Sequence, residues 1–90
     1  MENHNHPQQK KIINRMAKIV GHAGAIKRMC EEGKECSEIL IQIAAVRAAL
    51  NNVGKLILED HINHCVIEAV ENNDHQKLKD LNDAIDKFIK

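Results

Sequence analysis

Ninety residues allow one small domain, 1–90, whose core is marginal for a lone monomer, so oligomerisation follows from length alone. Phe88 is the only aromatic, Gly and Pro are sparse, and the Ile, Leu, Val, Ala, Lys and Glu that dominate favour helix over sheet. The formal charge is zero but uneven: residues 1–30 carry six basic side chains (Lys10, Lys11, Arg15, Lys18, Lys27, Arg28) against Glu2, a balance of +5, whereas Glu35 to Lys90 carry six basic and ten acidic, a balance of −4. Such asymmetry fits a surface for a polyanion or, equally, a solvated basic helix face.

In chain order, residues 1–7 read as a flexible polar arm. From Gln8 to Glu32 apolar residues recur at Ile12, Met16, Ile19, Ala23, Ile26 and Cys30, one stripe along a first helix, with Gly33 as its stop. Gly21 and Gly24 interrupt helix propensity and point to a close helix approach. A second helix starts near Cys36 and keeps the rhythm through Ile39, Ile43, Val46, Leu50, Val53 and Ile57, with no break before Glu71-Asn72-Asn73-Asp74. A helix of that length spans roughly 50 Å. That exceeds the width of a 90-residue globule, so it requires apolar partners outside its own chain. Ala44, Ala45, Ala48 and Ala49 near its middle would let two such helices cross closely. Leu78, Leu81, Ile85 and Phe88 mark a short third helix. The expected fold is all-α: a three-helix protomer with a long central helix, in an antiparallel dimer. No apolar run approaches the roughly 20 residues of a membrane span, and the polar start has no signal segment, so a cytoplasmic location without a membrane partner is expected.

Three cysteines do not make a disulfide framework; in a reducing compartment they read as ligands, reactive thiols or packed side chains. His61 and Cys65, four apart, share one helix face, a common way to present two metal ligands, although such a pair more often joins surface and core neighbours. Cys36 lies 25 residues before His61, roughly 38 Å along a continuous helix, so one chain cannot bring the three to one ion. Two antiparallel copies of the helix can, with Cys36 of one meeting His61 and Cys65 of the other, twice per dimer by symmetry. The midpoint falls near Ala49 and Leu50, within the alanine-rich stretch. Two thiolates and an imidazole suit Cu(I), Zn(II) or, with a further nitrogen, Ni(II) or Co(II), and not Mg or Ca. His4 and His6 could supply that nitrogen, unless the arm is simply disordered. Cys30 continues the first stripe and reads as packed; His64 reads as solvent-facing or supporting the ligand pair, His22 as an ordinary helix residue, His75 as a loop residue, and Glu59 and Asp60 as neighbours of the site or, equally, a solvated acidic edge. No nucleophile–base or acid pair is spaced for catalysis, so an enzyme is not expected.

The segments KIVGHAGAIKRM (18–29), ECSEILIQIAAVRAALN (35–51) and LEDHINHCV (58–66) resemble the CsoR/RcnR family of bacterial metal-responsive repressors over nearly the whole chain. The resemblance implies three-helix protomers in antiparallel dimers, two of which form a tetramer, and metal ligands at His4, Cys36, His61 and Cys65. It implies operator-DNA binding through basic faces, with Arg15 and Lys18 foremost and Lys10, Lys11 and Arg47 behind them, and release of DNA on metal binding. The Cys-His-Cys set resembles the copper-sensing branch, although that branch often has a tyrosine where Glu35 stands and a third-helix glutamate for which Asp80 is the closest counterpart. His4 resembles the nickel and cobalt sensors. Cu(I) is favoured, with Ni(II)/Co(II) next. Aldehyde-responsive members begin with a proline where this chain has Met1-Glu2, and persulfide-responsive members lack the histidine present here as His61; a thiol- or aldehyde-responsive repressor is thus a lesser alternative. Outside the repressors stand a metal-storage or metal-delivery protein, which would gain nothing from Arg15 and Lys18 on one face, and a purely structural oligomer.

Overall fold

A computed structural model describes residues 8–89; the side chains at 61–63 lie outside the described residues, as do residue 90 and the expected arm 1–7 with His4 and His6. Helix α1 (Gln9–Glu31) and helix α2 (Cys36–His61) form an antiparallel hairpin. Its core is Ile12 and Ile19 of α1 against Val53 and Leu56 of α2, with Met16, Val46 and Ala49 packed around them. The turn between them is fixed by Gly33, whose φ of 69° is the left-handed conformation a side chain disfavours. The Lys34 N–H then donates to the Met29 carbonyl at 3.0 Å and the Gly33 N–H to the Cys30 carbonyl at 3.2 Å, closing α1 with a paired C-cap.

Beyond His61 the helical path continues through one wide π turn, Ile62–Val66, into α3 (Ile67–Glu71). The expectation of one regular helix to Glu71 is therefore corrected. The rod is as long as predicted, but its far third is rewound by an i→i+5 turn, a feature frequent at functional sites. The sequence INHCV holds no Gly or Pro to announce it. Asn73, with φ 53°, repeats the Gly33 arrangement at the end of α3, where the Asp74 N–H donates to the Ala69 carbonyl at 2.8 Å. Asp74 caps the next helix, its Oδ1 accepting from the Lys77 N–H at 3.0 Å. Helix α4 (His75–Ile89) then runs back along the rod, so His75 opens a helix instead of lying in a loop. Counting the rod as one unit gives the three-rod, all-helical protomer that the periodicity predicts.

Three packing expectations change. Gly21 has nothing within contact distance of a would-be Cβ and Gly24 only the tip of Arg28; the close approach is at Gly54 instead, where a methyl group would overlap the Phe88 ring of α4. Ala23 and Cys30 are exposed, because toward the turn of the hairpin only two helices meet. The α2 apolar residues do not form one buried stripe: Val53 and Leu56 are buried against α1, whereas Ile43, Leu50 and Ile57 are 44%, 45% and 38% exposed.

The molecule is elongated, 54 × 26 × 16 Å, with a radius of gyration of 16.9 Å. A compact chain of this length would have a radius near ~12 Å. Among the described residues five apolar side chains are buried, Ile12, Ile19, Val53, Leu56 and Ala69, a small core for so long a rod. No helix among the described residues is long and apolar enough to cross a membrane.

Replacing Gly33 by Ala puts a side chain at a positive φ and should lower unfolding stability by about 1 kcal/mol, with Gly33→Asn costing less because Asn tolerates this conformation. Urea unfolding at one fixed protein concentration checks it, and equal stability of Gly33→Ala and the parent would contradict the assigned cap.

Candidate metal centre and nucleic-acid interface

Cys36 is the first residue of α2, following Glu35, whose carbonyl accepts the opening helical bond from the Ile39 N–H at 3.1 Å. Its side chain is exposed. His61 is the last residue of α2, and Cys65 lies half-buried in the π turn just beyond. Since Cys36–His61 is one unbroken α-helix of 26 residues, the two ends stand roughly 38 Å apart along the axis. Accordingly, among the described residues no three His, Cys, Asp or Glu side chains gather closely enough to hold a metal ion.

One face of α2 supplies a relation that was not foreseen. Cys36, Leu40, Ile43, Arg47, Leu50, Gly54, Ile57 and His61 follow one another in steps of four and three, which is one seam along a helix. Leu40 is 63% exposed, and Ile43 and Leu50 nearly half. A metal-ligand candidate thus stands at each end of a mainly apolar stripe, which is uncovered over Leu40, Ile43 and Leu50 and meets α4 at Gly54 and Ile57. The wide turn after His61 takes in an extra residue, and Cys65, not His64, is the half-buried one there; His64 is exposed. Asp60 is buried at 6% exposure, which corrects its reading as part of a solvated edge; it sits on the α1-facing side with Val53 and Leu56, while Glu59 is exposed as expected.

The basic residues sort themselves differently. Arg15 and Lys18 are exposed and, with Ile19 and His22 of α1 and Ala49, Asn52 and Val53 of α2, line a groove of about 410 Å³ between the two helices. The His22 ring N–H at Nε2 donates to Gln42 Oε1 at 2.7 Å, so His22 is a tie between α1 and α2 and not merely an ordinary helix residue. Lys10 and Lys11 are exposed in the first turn of α1. Arg47 is exposed on the seam, apart from the groove. His22, Gln42 and Asn52 carried no motif; the one available signal was that His22 continues the Lys11, Arg15, Lys18 steps of four and three. Lys27 spends its charge on Glu31 at 2.8 Å, an exposed pair worth little to stability.

A family model described as metal-sensitive transcriptional repressor matches residues 8–87. The chain belongs to that family. It is 41% identical over 90 residues to the copper-sensing transcriptional repressor CsoR of Bacillus subtilis, an alignment covering 98% of this chain and 89% of that one. Among solved structures it is similar to the copper-sensing repressor CsoR with Cu(I) from Geobacillus thermodenitrificans, at TM-score 0.83 and 35% identity over 100% of this chain and 95% of that one. It is also similar to the nickel-responsive transcriptional regulator InrS, at TM-score 0.72 and 41% identity, covering 97% and 99%. These relatives are regulators and not enzymes, in line with the absence of catalytic spacing. As a member of the CsoR/RcnR repressors, the chain has the all-helical fold the resemblance implied.

The tie across the hairpin is testable on stability alone. A part-buried hydrogen bond contributes about 0.5–1.5 kcal/mol, so His22→Ala and Gln42→Ala should each lose about that much, and the double variant little more than either. Fully additive losses in thermal unfolding would show that the two side chains do not act together.

Proposed function

We propose that this chain is a repressor that holds operator DNA when metal-free and lets it go on binding Cu(I), taken up by Cys36 of one protomer with His61 and Cys65 of an antiparallel partner. The observation that carries the reading is the seam. A rigid α2 holds Cys36 and His61 at opposite ends of one mainly apolar stripe, exposed at Leu40, Ile43 and Leu50, and a stripe of this kind calls for a partner helix. Pairing two such stripes antiparallel covers Leu40, Ile43, Leu50 and Ile57 and carries each Cys36 to the far end of its mate. The small side chains of Ala44, Ala45 and Ala48, beside the seam, favour close approach of the two rods.

The donor set supports Cu(I): two thiolates and an imidazole are soft ligands matched to a low-coordinate soft ion. Once held, the ion supplies bonds that tie the start of one α2 to the end of another. A second reading, Ni(II) or Co(II) with His4 as an added nitrogen, is favoured by the 41% identity to a nickel-responsive regulator. His4 lies outside the described residues. On the nucleic-acid side, Arg15 and Lys18 flank one groove and supply phosphate contacts, with Lys10 and Lys11 on the same helix; Arg47 lies on the seam that the pairing covers and is not counted with them. Release by metal is a coupling between two sites, so DNA lowers the affinity for metal by the same factor. Assembly to a tetramer would place several basic grooves along one duplex, and the cytoplasm is where such a regulator acts.

Anaerobic titration of the protein–promoter complex with Cu(I) and with Ni(II), followed by absorbance and by DNA fluorescence anisotropy, tests the reading. Cu(I) should release DNA at about one ion per protomer, and Cys36→Ala should bind DNA normally yet no longer respond. Metal-dependent release retained by Cys36→Ala would contradict it. Separately, Leu50→Glu places a charge at the centre of the seam and should shift sedimentation toward the monomer; a variant that sediments as the parent does would remove the seam from the interface.

A further inference from the structure

No residue of α4 is buried, although Leu78, Leu81, Ile85 and Phe88 fall in steps of three and four on one apolar face. The Phe88 ring meets α2 at Gly54. Beyond that contact the two helices stand apart around an open hollow of about 290 Å³, walled by Gly54, Ile57 and Leu58 of α2 and by Leu81, Ile85 and Phe88 of α4. Every side chain that lines it is apolar. Pockets for small ligands set a few polar groups among apolar walls and run upward from about 300 Å³, so this hollow suits an aliphatic side chain instead. Leu40, near the start of the same α2, projects from the molecule at 63% exposure.

The antiparallel pairing proposed above brings the projection and the hollow together. Cys36 and Leu40 are four residues apart, as are Ile57 and His61. A register that sets Cys36 against the partner's His61 therefore sets Leu40 against the partner's Ile57, on the edge of the hollow. Side chains on a helix lean toward its N-terminus, so Leu40 leans toward the partner's Leu58 and away from the Phe88 contact at Gly54. Resting on that pairing, we infer that the hollow between α2 and α4 is a socket for Leu40 of the second copy. Each hairpin then offers one knob and one socket, and a two-fold axis uses both. The knob stands one helical turn from its own Cys36, and the socket one turn from the receiving chain's His61. Leu40 is thereby a positioning residue for the shared metal site, and its insertion gives α4 the cover that its own chain withholds.

The experiment is a size swap in the full chain. It is read by urea unfolding at several protein concentrations, which reports the strength of the dimer, and by anaerobic Cu(I) titration. Leu40→Ala, at a position exposed in the single chain, should weaken the dimer on the order of a hundredfold. It should also weaken Cu(I) binding by a factor on the order of ten, with the absorption of the loaded site unchanged in shape because every ligand is kept. Ala84 also lines the hollow, so Ala84→Phe fills the socket from its own side and should weaken the dimer likewise. The double variant Leu40→Ala/Ala84→Phe should be stronger than the product of the two losses by roughly tenfold. Ile41→Ala removes a side chain of 66% exposure from about 100° further round α2, and it should leave the dimer nearly as strong and not couple to Ala84→Phe. Circular dichroism confirms that each variant is folded. A Leu40→Ala dimer as strong as the parent's, losses that simply multiply in the double variant, or coupling through Ile41 instead would remove the socket and leave the shared metal site standing. If unfolding of the parent does not depend on concentration, there is no dimer, and the shared-site reading falls with the socket.

Discussion

The stiffness of α2 governs this molecule. An unbroken helix from Cys36 to His61 fixes the distance between its ends, and no rotation of side chains can shorten roughly 38 Å to the two-ångström scale of a metal–ligand bond. Every soft donor at one end is therefore useless to the other within a single chain. The same stiffness makes an intermolecular site economical: a rod that cannot fold on itself aligns with a second rod over its whole length, and its two ends are presented to the partner at a fixed spacing. The small core of the isolated hairpin and the uncovered seam are two aspects of one circumstance, since apolar residues that would complete a globule are instead laid out along a surface.

The hairpin has two working sides, and α2 serves both. Asn52 and Gly54 are two residues apart, about 200° around the helix, so the groove with Arg15 and Lys18 and the seam with Leu50 and Ile57 face different ways. Under the proposed function this arrangement supplies the coupling. A tie between the ends of paired α2 helices acts on the seam side, and any resulting shift of α2 against α1 is felt at the groove on the other side, where the His22–Gln42 bond and the Ile12, Ile19, Val53 and Leu56 packing resist it. Packed interfaces of this kind switch between discrete arrangements rather than deforming smoothly. The π turn sits where the rod meets the candidate ligand Cys65, and α4 closes on the same stretch of α2 through Phe88 over Gly54.

Much of this was legible in the sequence because it depends on period and length. The helix count, the Gly33 stop, the length of the rod and the impossibility of an intrachain site all follow from 3.6-residue spacing and rise per residue. What was not legible depends on which of two faces an apolar residue serves. The series Ile39, Ile43, Val46, Leu50, Val53 and Ile57 reads as one broad stripe, and only the position of α1 divides it into a buried edge and an exposed seam. Gly21 and Gly24 attract notice because they cost helix propensity, yet the glycine that permits a close contact is Gly54, whose partner Phe88 lies 34 residues away in sequence. The π turn depends on the local winding of INHCV, which no residue type in it announces. Asp60 read as part of a solvated acidic edge, and only the register of α2 against α1 places it inward. The functional resemblance was readable because Cys36, His61 and Cys65 are set by spacing, whereas His22, Gln42 and Asn52 matter only through contact across the hairpin.

A complementation measurement addresses the shared site most directly. Cys36→Ala protein and Cys65→Ala protein, each unable to bind Cu(I) tightly alone, are co-expressed with different tags and the mixed dimer is isolated and titrated anaerobically. In an antiparallel pair both substitutions fall in one of the two sites and leave the other whole, so the mixed dimer should bind one tight Cu(I) per two chains. A mixed dimer with no tight site, or either parent variant with a full complement, would show that the ligands are not shared between chains as the rigid rod requires.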